Sequence, residues 1–275
     1  MPIYSGIPTL RIVWDNKADT ATVTSSTAVA STLPLANLRT NIRSQVCRVL
    51  GASTTFELTW GQAQQIGCVA FASCNLSSDS VIRVEGYQGA TLKVDITKNF
   101  IPGTILGNWD FTQNLNVNNF HDNAATGCVW FEHQSIDRVR ITITDAAKTY
   151  LDFARLIVGP YFEPRIGASY GSSIGEGDLT QNIKTASGDI RTDWGPKTRT
   201  MELRLDEVLA EDRERVVRLL RRGVGQWSLV SACAGDIDPV REQDYTLYGK
   251  PVSTYSATFA NWSVHQTAIS LEGWA

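Results

Sequence analysis

The side chains of this chain that could do chemistry are five cysteines, three histidines and a few close pairs of carboxylates. Cys47, Cys68, Cys74, Cys128 and Cys233 are scattered, with no Cys-x-x-Cys pair and no Cys/His cluster of metal-ligand spacing. They read as small, reduced, mostly buried apolar residues. His121, His133 and His265 lie far apart, and no spacing ties a histidine to a particular thiol, as nucleophilic catalysis would require. Asp206/Glu207 and Asp236/Asp238 have the residue types of a glycoside-hydrolysing pair. Each pair sits where a turn or a helix cap explains it better. Gly171-Ser172-Ser173-Ile174-Gly175 and Gly175-Glu176-Gly177 are glycine-rich, but a phosphate cradle needs a helix to follow, and none is expected there. Gly171, Ser173 and Gly175 have Gly-x-Ser-x-Gly spacing, but a nucleophile elbow needs a strand before it and a helix after it, and neither is expected there; no Walker-type loop occurs. The expectation is a protein without catalytic residues, metal or cofactor.

Binding chemistry is better represented. Asp110, Asn114, Asn116, Asn118, Asn119, Asp122 and Asn123 crowd one loop. Such residues can hold calcium or sugar hydroxyls, or can satisfy their own backbone. A sugar site needs an aromatic platform with polar neighbours, and Trp109 and Phe120 are the candidates in that loop. Arg213, Arg218, Arg221 and Arg222 form the single basic patch, which serves as a solvated helix face or as a contact between subunits. The net charge is −3, and no polybasic run points to nucleic acid or anionic lipid. No apolar run approaches the roughly 20 residues of a membrane span. The first residues carry no basic segment followed by an apolar core, so synthesis in the cytosol is expected.

The elements that must position these residues are mainly strands. Thr200–Ala232 reads as strand, helix, strand. Met201, Leu203 and Leu205 alternate with Glu202 and Arg204. Asp206 can cap a helix over 207–222, with acids early, arginines late and Gly223 as the stop. A strand is expected at Thr9–Trp14. Val46–Val49, Phe56–Trp60, Ile66–Ser73, Val81–Tyr87, Leu92–Ile96, Cys128–Phe131, Arg138–Thr144 and Phe153–Val158 are further strands, the short-strand pattern of a β-sandwich. Residues 160–178 are rich in Gly, Pro and Ser and read as a linker. A hairpin follows at Leu179–Thr185 and Ile190–Trp194. The acidic loop Gly235–Asp244, strands around Lys250-Pro251, and a last strand Trp262–Leu271, bulged near Gln266, complete the chain. The fold class is mainly β. A jelly-roll sandwich occupies 33–159, and a second β-sandwich or split-barrel domain with one helix occupies 179–275. Residues 1–32 form an arm whose strand either stands apart or joins the C-terminal sheet.

Two resemblances follow. Leu35-Ala36-Asn37-Leu38, Cys47-Arg48, Phe56–Trp60, Ile66–Phe71, Asn75-Leu76-Ser77, Ile82-Arg83-Val84, Trp130-Phe131, Arg138–Ile143 and Ala154–Gly159 resemble the discoidin-type, galactose-binding-like jelly roll. That family implies glycan binding or packing against neighbours. Residues 1–14 and 160–275, with the late Tyr248-Gly249-Lys250 strand, are similar to the distal tail proteins of long-tailed bacteriophages. This resemblance implies a structural subunit of the virion tail tip or baseplate, forming a ring (hexamer or trimer) between the tail tube and host-recognition components. The alternative is the glycan-binding module of a phage receptor-binding protein. The partners implied are further copies of the chain, tube, hub and receptor-binding proteins, and a cell-surface glycan.

Overall fold

A computed structural model describes residues 9–101, 104–105, 116–117, 125–178, 180–184, 187–193, 195, 197–223, 226–235, 239–252, 257–259 and 264–274. In chain order the strands are β1 (Thr9–Val13), β2 (Thr22–Ser25), β3 (Cys47–Val49), β4 (Ser53–Cys74), β5 (Val81–Gln88), β6 (Thr91–Asn99), β7 (Thr104–Ile105), β8 (Asn116–Val117), β9 (Ala125–Thr144), β10 (Leu151–Phe153) and β11 (Leu156–Gly159). They continue as β12 (Ser173–Asp178), β13 (Gln181–Lys184), β14 (Ile190–Asp193) and β15 (Lys197–Leu209). Helix α1 (Ala210–Gly223), β16 (Ser228–Ala234), helix α2 (Pro239–Asp244), β17 (Thr246–Pro251), β18 (Ala257–Phe259) and β19 (Val264–Trp274) complete the order. The fold is mainly β. The chain divides into one unit of Met1–Glu163 with Ser231–Thr246, and another of Pro164–Val230 with Leu247–Ala275.

The first unit is the jelly-roll sandwich. Its sheet runs β3-β10-β4-β9-β5-β6, with β2 and β11 also paired to β4. The expected strands Phe56–Trp60 and Ile66–Ser73 are one strand, β4, which bends. Phe56 and Phe71 are fifteen positions apart on β4, about 50 Å in a straight strand, yet their rings lie 6.0 Å apart. The strand therefore folds over itself and makes both layers. The turn falls where pairing with β9 slips, between Thr59↔Arg138 and Gln64↔Ile136. Gly61, Gln62 and Ala63 are exposed there, with no side chain that the core would claim. Before the bend Thr54, Phe56 and Leu58 alternate inward; beyond it Ile66–Cys74 is buried without a break. The core joins Phe56, Phe71 and Phe153 with Leu58, Val69, Val84 and Ile141.

In the second unit β17-β19-β15-β12 form consecutive neighbours, with β18 on β19. Strands β16 and β17 are each divided between the units at Val230/Ser231 and Thr246/Leu247. In the first unit, β1 is the neighbour of β16. Thr9 Oγ1 donates to the Ala234 carbonyl at 3.2 Å. Helix α1 buries Val216 and Leu219, and the carboxylate of its Asp212 accepts the Arg165 backbone N–H at 2.9 Å.

Four further expectations are corrected. The helix starts at Ala210 and not at 207, because Asp206 and Glu207 continue β15; the Asp206 N–H donates to Ser169 Oγ instead of the residue capping a helix. The extra bulge residue lies on β15 and not near Gln266 of β19: Leu205↔Thr267 is followed by Val208↔His265, three steps against two. Part of the expected linker, Ser173–Asp178, is a strand paired to β15. Part of the expected loop 235–244 is helix α2.

Candidate functional site

A cleft of about 210 Å³ opens in the first unit, between the end of β6, the start of β9 and helix α2. Lys98, Asn99, Phe100 and Ile101 come from β6 and the residues after it; Thr126, Gly127 and Cys128 from β9; Glu242 and Gln243 from α2; Ser78, Pro239 and Thr246 complete the wall.

The sequence explains how each wall is set. β6 leaves its sheet at Asn99, and the Phe100 N–H donates to the Ser80 carbonyl at 2.9 Å. This turns the Phe100 ring inward against Phe71, 6.1 Å away and edge-on. The ring fills the space over Gly127, where a Cβ would lie within 2.6 Å of three ring atoms. Glycine is required at this position by close approach.

Helix α2 is too short to be stable alone and is held by side chains to β9. Gln243, 7% exposed, donates from Nε2 to the Thr126 carbonyl at 3.1 Å. Glu242 Oε1 accepts from the Trp130 indole N–H at 2.5 Å and from the Gly235 backbone N–H at 3.3 Å. Thr246 Oγ1 donates to the Glu242 carbonyl at 2.6 Å. The carboxylate of Glu242 is thus fixed at the cleft by its neighbours, the kind of supporting shell that preorganises a binding group.

Trp130 also belongs to a cluster beside the cleft. Its ring meets Tyr161 edge-on at 5.6 Å. The Arg11 guanidinium lies 4.6 Å from the Tyr161 ring centre and 5.5 Å from that of Trp130, and pairs with Glu163 at 2.7 Å. His133 lies against Tyr161, with ring centres 4.3 Å apart. His133 Nε2 lies 3.2 Å from the Tyr161 backbone nitrogen and 3.1 Å from the Tyr161 carbonyl oxygen, so it accepts from the N–H or donates to the carbonyl according to the ring's tautomer. The packing depends on Gly67, where a Cβ would lie 2.7 Å from the Tyr161 ring.

One thiol, that of Cys128, lines the cleft. Burial pushes the Cys128 thiol far up, with the nearby Glu242 carboxylate adding to the effect, so a thiolate nucleophile is disfavoured. Burial likewise raises the Cys47 and Cys74 thiols to about 12. Among the described residues no three His, Cys, Asp or Glu side chains group as metal ligands.

The residues expected from sequence to form a site are elsewhere. Trp109 and Phe120, with the Asn/Asp-rich loop, lie outside the described residues. Arg213, Arg218 and Arg221 are exposed on α1, and Arg218 pairs with Glu214 one turn away at 3.4 Å. Arg222 is helical, and its side chain is outside the described set. Arg213, Arg218 and Arg221 are not among the residues that line the cleft. Sequence reading missed Lys98, Thr126, Glu242 and Gln243. Residues of α2 meet β9 across 112 and 117 positions, and no local pattern marks such a meeting.

No family model and no curated protein sequence matches this chain. Solved structures are similar to about half of it. A chitosan-binding module of a chitosanase/glucanase from Paenibacillus sp. IK-5 is 13% identical, over 53% of this chain and 99% of that one, with a TM-score of 0.37. The family 32 CBM of C. perfringens NanJ, solved with galactose, is 11% identical over 54% and 98%, with a TM-score of 0.37. A Streptococcus pneumoniae fucose binding module is 13% identical over 52% and 94%, with a TM-score of 0.34. At these identities and scores neither ligand nor activity transfers.

Proposed function

We propose that this protein binds glycans without breaking them, taking one sugar residue in the cleft between β6, β9 and α2. The observation that carries the reading is the cleft's composition and size. Ammonium, carboxylate, amide and hydroxyl groups converge on about 210 Å³, against an apolar floor of Phe100 and Ile101. Pockets for drug-sized ligands span roughly 300–1,000 Å³; this one suits a single ring. Sugar hydroxyls both donate and accept, so a rim mixing donors (Lys98, Asn99) with acceptors (Glu242) fits a polyol better than an apolar ligand. The test is a glycan array probed with the wild-type chain and Glu242→Gln. Gln retains an oxygen for the Trp130 indole but loses the charge. Binding to a defined set of glycans, weakened in the variant, supports the reading; an array with no specific binding contradicts it.

A second reading is a structural subunit of a bacteriophage tail tip, assembling as a ring. One observation favours it. β1 is the neighbour of β16, the strand after α1, so the jelly-roll strands are inserted between partners of one sheet. An inserted jelly roll is what joining the two resemblances in one chain requires. A closed ring would satisfy its own interfaces. Mass measurement with negative-stain imaging would show a ring, and a strict monomer in the presence of tail-tube and hub proteins would contradict it.

A further inference from the structure

The cleft's two opposite charges narrow the ligand. Lys98 is half-buried at the cleft, opposite Ile82 in the β5–β6 ladder. Among the described residues no carboxylate pairs with it, whereas Arg83 on the same two strands is paired twice over, with Glu85 at 3.2 Å and Asp95 at 2.9 Å. Glu242 lines the cleft from α2, and its Oε1 is already held by Trp130 and Gly235. Both charges act on the buried Cys128 thiol, in opposite directions. The cleft therefore offers a cation from β6 and a fixed acceptor from α2 to one bound ring.

Resting on the glycan reading of the same cleft, we propose that its ligand is an acidic sugar, a hexuronic acid residue, with the carboxylate on Lys98 and ring hydroxyls donating to Glu242. A neutral hexose would give the Lys98 ammonium hydroxyl acceptors but no countercharge, whereas a carboxylate makes a charge-assisted hydrogen bond of roughly twice the strength. An amino sugar would suit Glu242 but would bring a second cation to Lys98. A phosphorylated or sulfated sugar carries a bulkier and more strongly charged group into a small cleft that already holds a carboxylate. A uronate has one carboxylate at one end and hydroxyls along the rest, so it offers an anion to Lys98 and donors to Glu242, both of which line the cleft.

The experiment is calorimetric titration of the full chain with hexuronate oligomers of galacto, gluco and manno configuration, each beside its neutral counterpart of equal length. The expected result is that one uronate binds about tenfold or more tighter than its neutral partner. That preference shrinks as salt rises from low to high concentration, is lost in Lys98→Met and is kept in Lys98→Arg. Neutral binding equal to or tighter than acidic binding would overturn this inference while leaving the glycan reading standing. A preference that survives in Lys98→Met would overturn the role given to Lys98. Failure of every oligomer of both kinds to bind would overturn the inference and the glycan reading together.

Discussion

At the scale of single residues, the site is built from atoms that are absent as much as from those present. Gly127 leaves room for Phe100, and Gly67 leaves room for Tyr161. Gly127→Ala places a methyl group into a ring that is 3% exposed and packed on Phe71. Overpacking of this kind costs about 1–3 kcal/mol, so urea unfolding of the variant should show a lower midpoint with an unchanged slope. His133 makes a second prediction. The residue is exposed as a whole, but the ring edge turned to Tyr161 is desolvated, and this lowers its pKa below the usual 6.5; the Tyr161 backbone contact pulls the other way. The unfolded chain then takes up a proton more readily than the folded one. The His133 contribution to stability is complete above pH 6.5 and falls as pH drops through the window below it. NMR titration should place the His133 midpoint below 6.5. A midpoint above that value would mean that the Tyr161 backbone contact and the charge of Glu163 outweigh burial.

At the scale of elements, most strands were legible and the connections between them were not. Val81–Tyr87 and Arg138–Thr144 alternate and lie in strands β5 and β9, although β9 also takes in the separately expected strand Cys128–Phe131. The single bent β4 was not legible, because its exposed Gly61–Ala63 segment looks like any turn between two strands; only the meeting of Phe56 with Phe71 joins them. Helix α2 looks like a loop in sequence because six residues carry no helical period, and its stability comes from Trp130 and Thr126, far away in the chain. The helix start was misplaced for a related reason. Asp206-Glu207 is a good helix opening in isolation, yet pairing of Val208 and Leu209 with His265 and Val264 keeps these residues extended. Such pairing with a distant strand overrides local preference. The β17–β19 pair yields the prediction at this scale. Gly249 and Gly273 face each other, and a Cβ on Gly249 would lie 2.8 Å from the Glu272 carbonyl oxygen. That obstacle is backbone and cannot rotate away. Gly249→Ala should destabilise the second unit by more than 1 kcal/mol, with loss of near-ultraviolet signal from the Trp227, Tyr248 and Trp274 cluster. Unchanged thermal unfolding would contradict the close register.

At the scale of the whole molecule, the chain is mainly β, divided into a jelly-roll unit and a second β unit carrying α1, with strands β16 and β17 shared out between them. Strand alternation along the sequence pointed to this class. The location of the candidate site did not follow from it, because it needs residues from three separated stretches. The aromatic residues of the Asn/Asp-rich loop were the natural sequence candidates; the groups that converge in space are Lys98, Thr126, Glu242 and Gln243.

The central claim, that the cleft binds a sugar, is tested most directly by amide NMR during titration with a glycan found to bind. The amides of Thr126, Gly127, Cys128 and Gln243 should shift together and saturate with a single dissociation constant, while those of Gly249 and Gly273 in the second unit stay in place. Shifts confined to other parts of the chain, with these four amides unmoved at saturation, would contradict it.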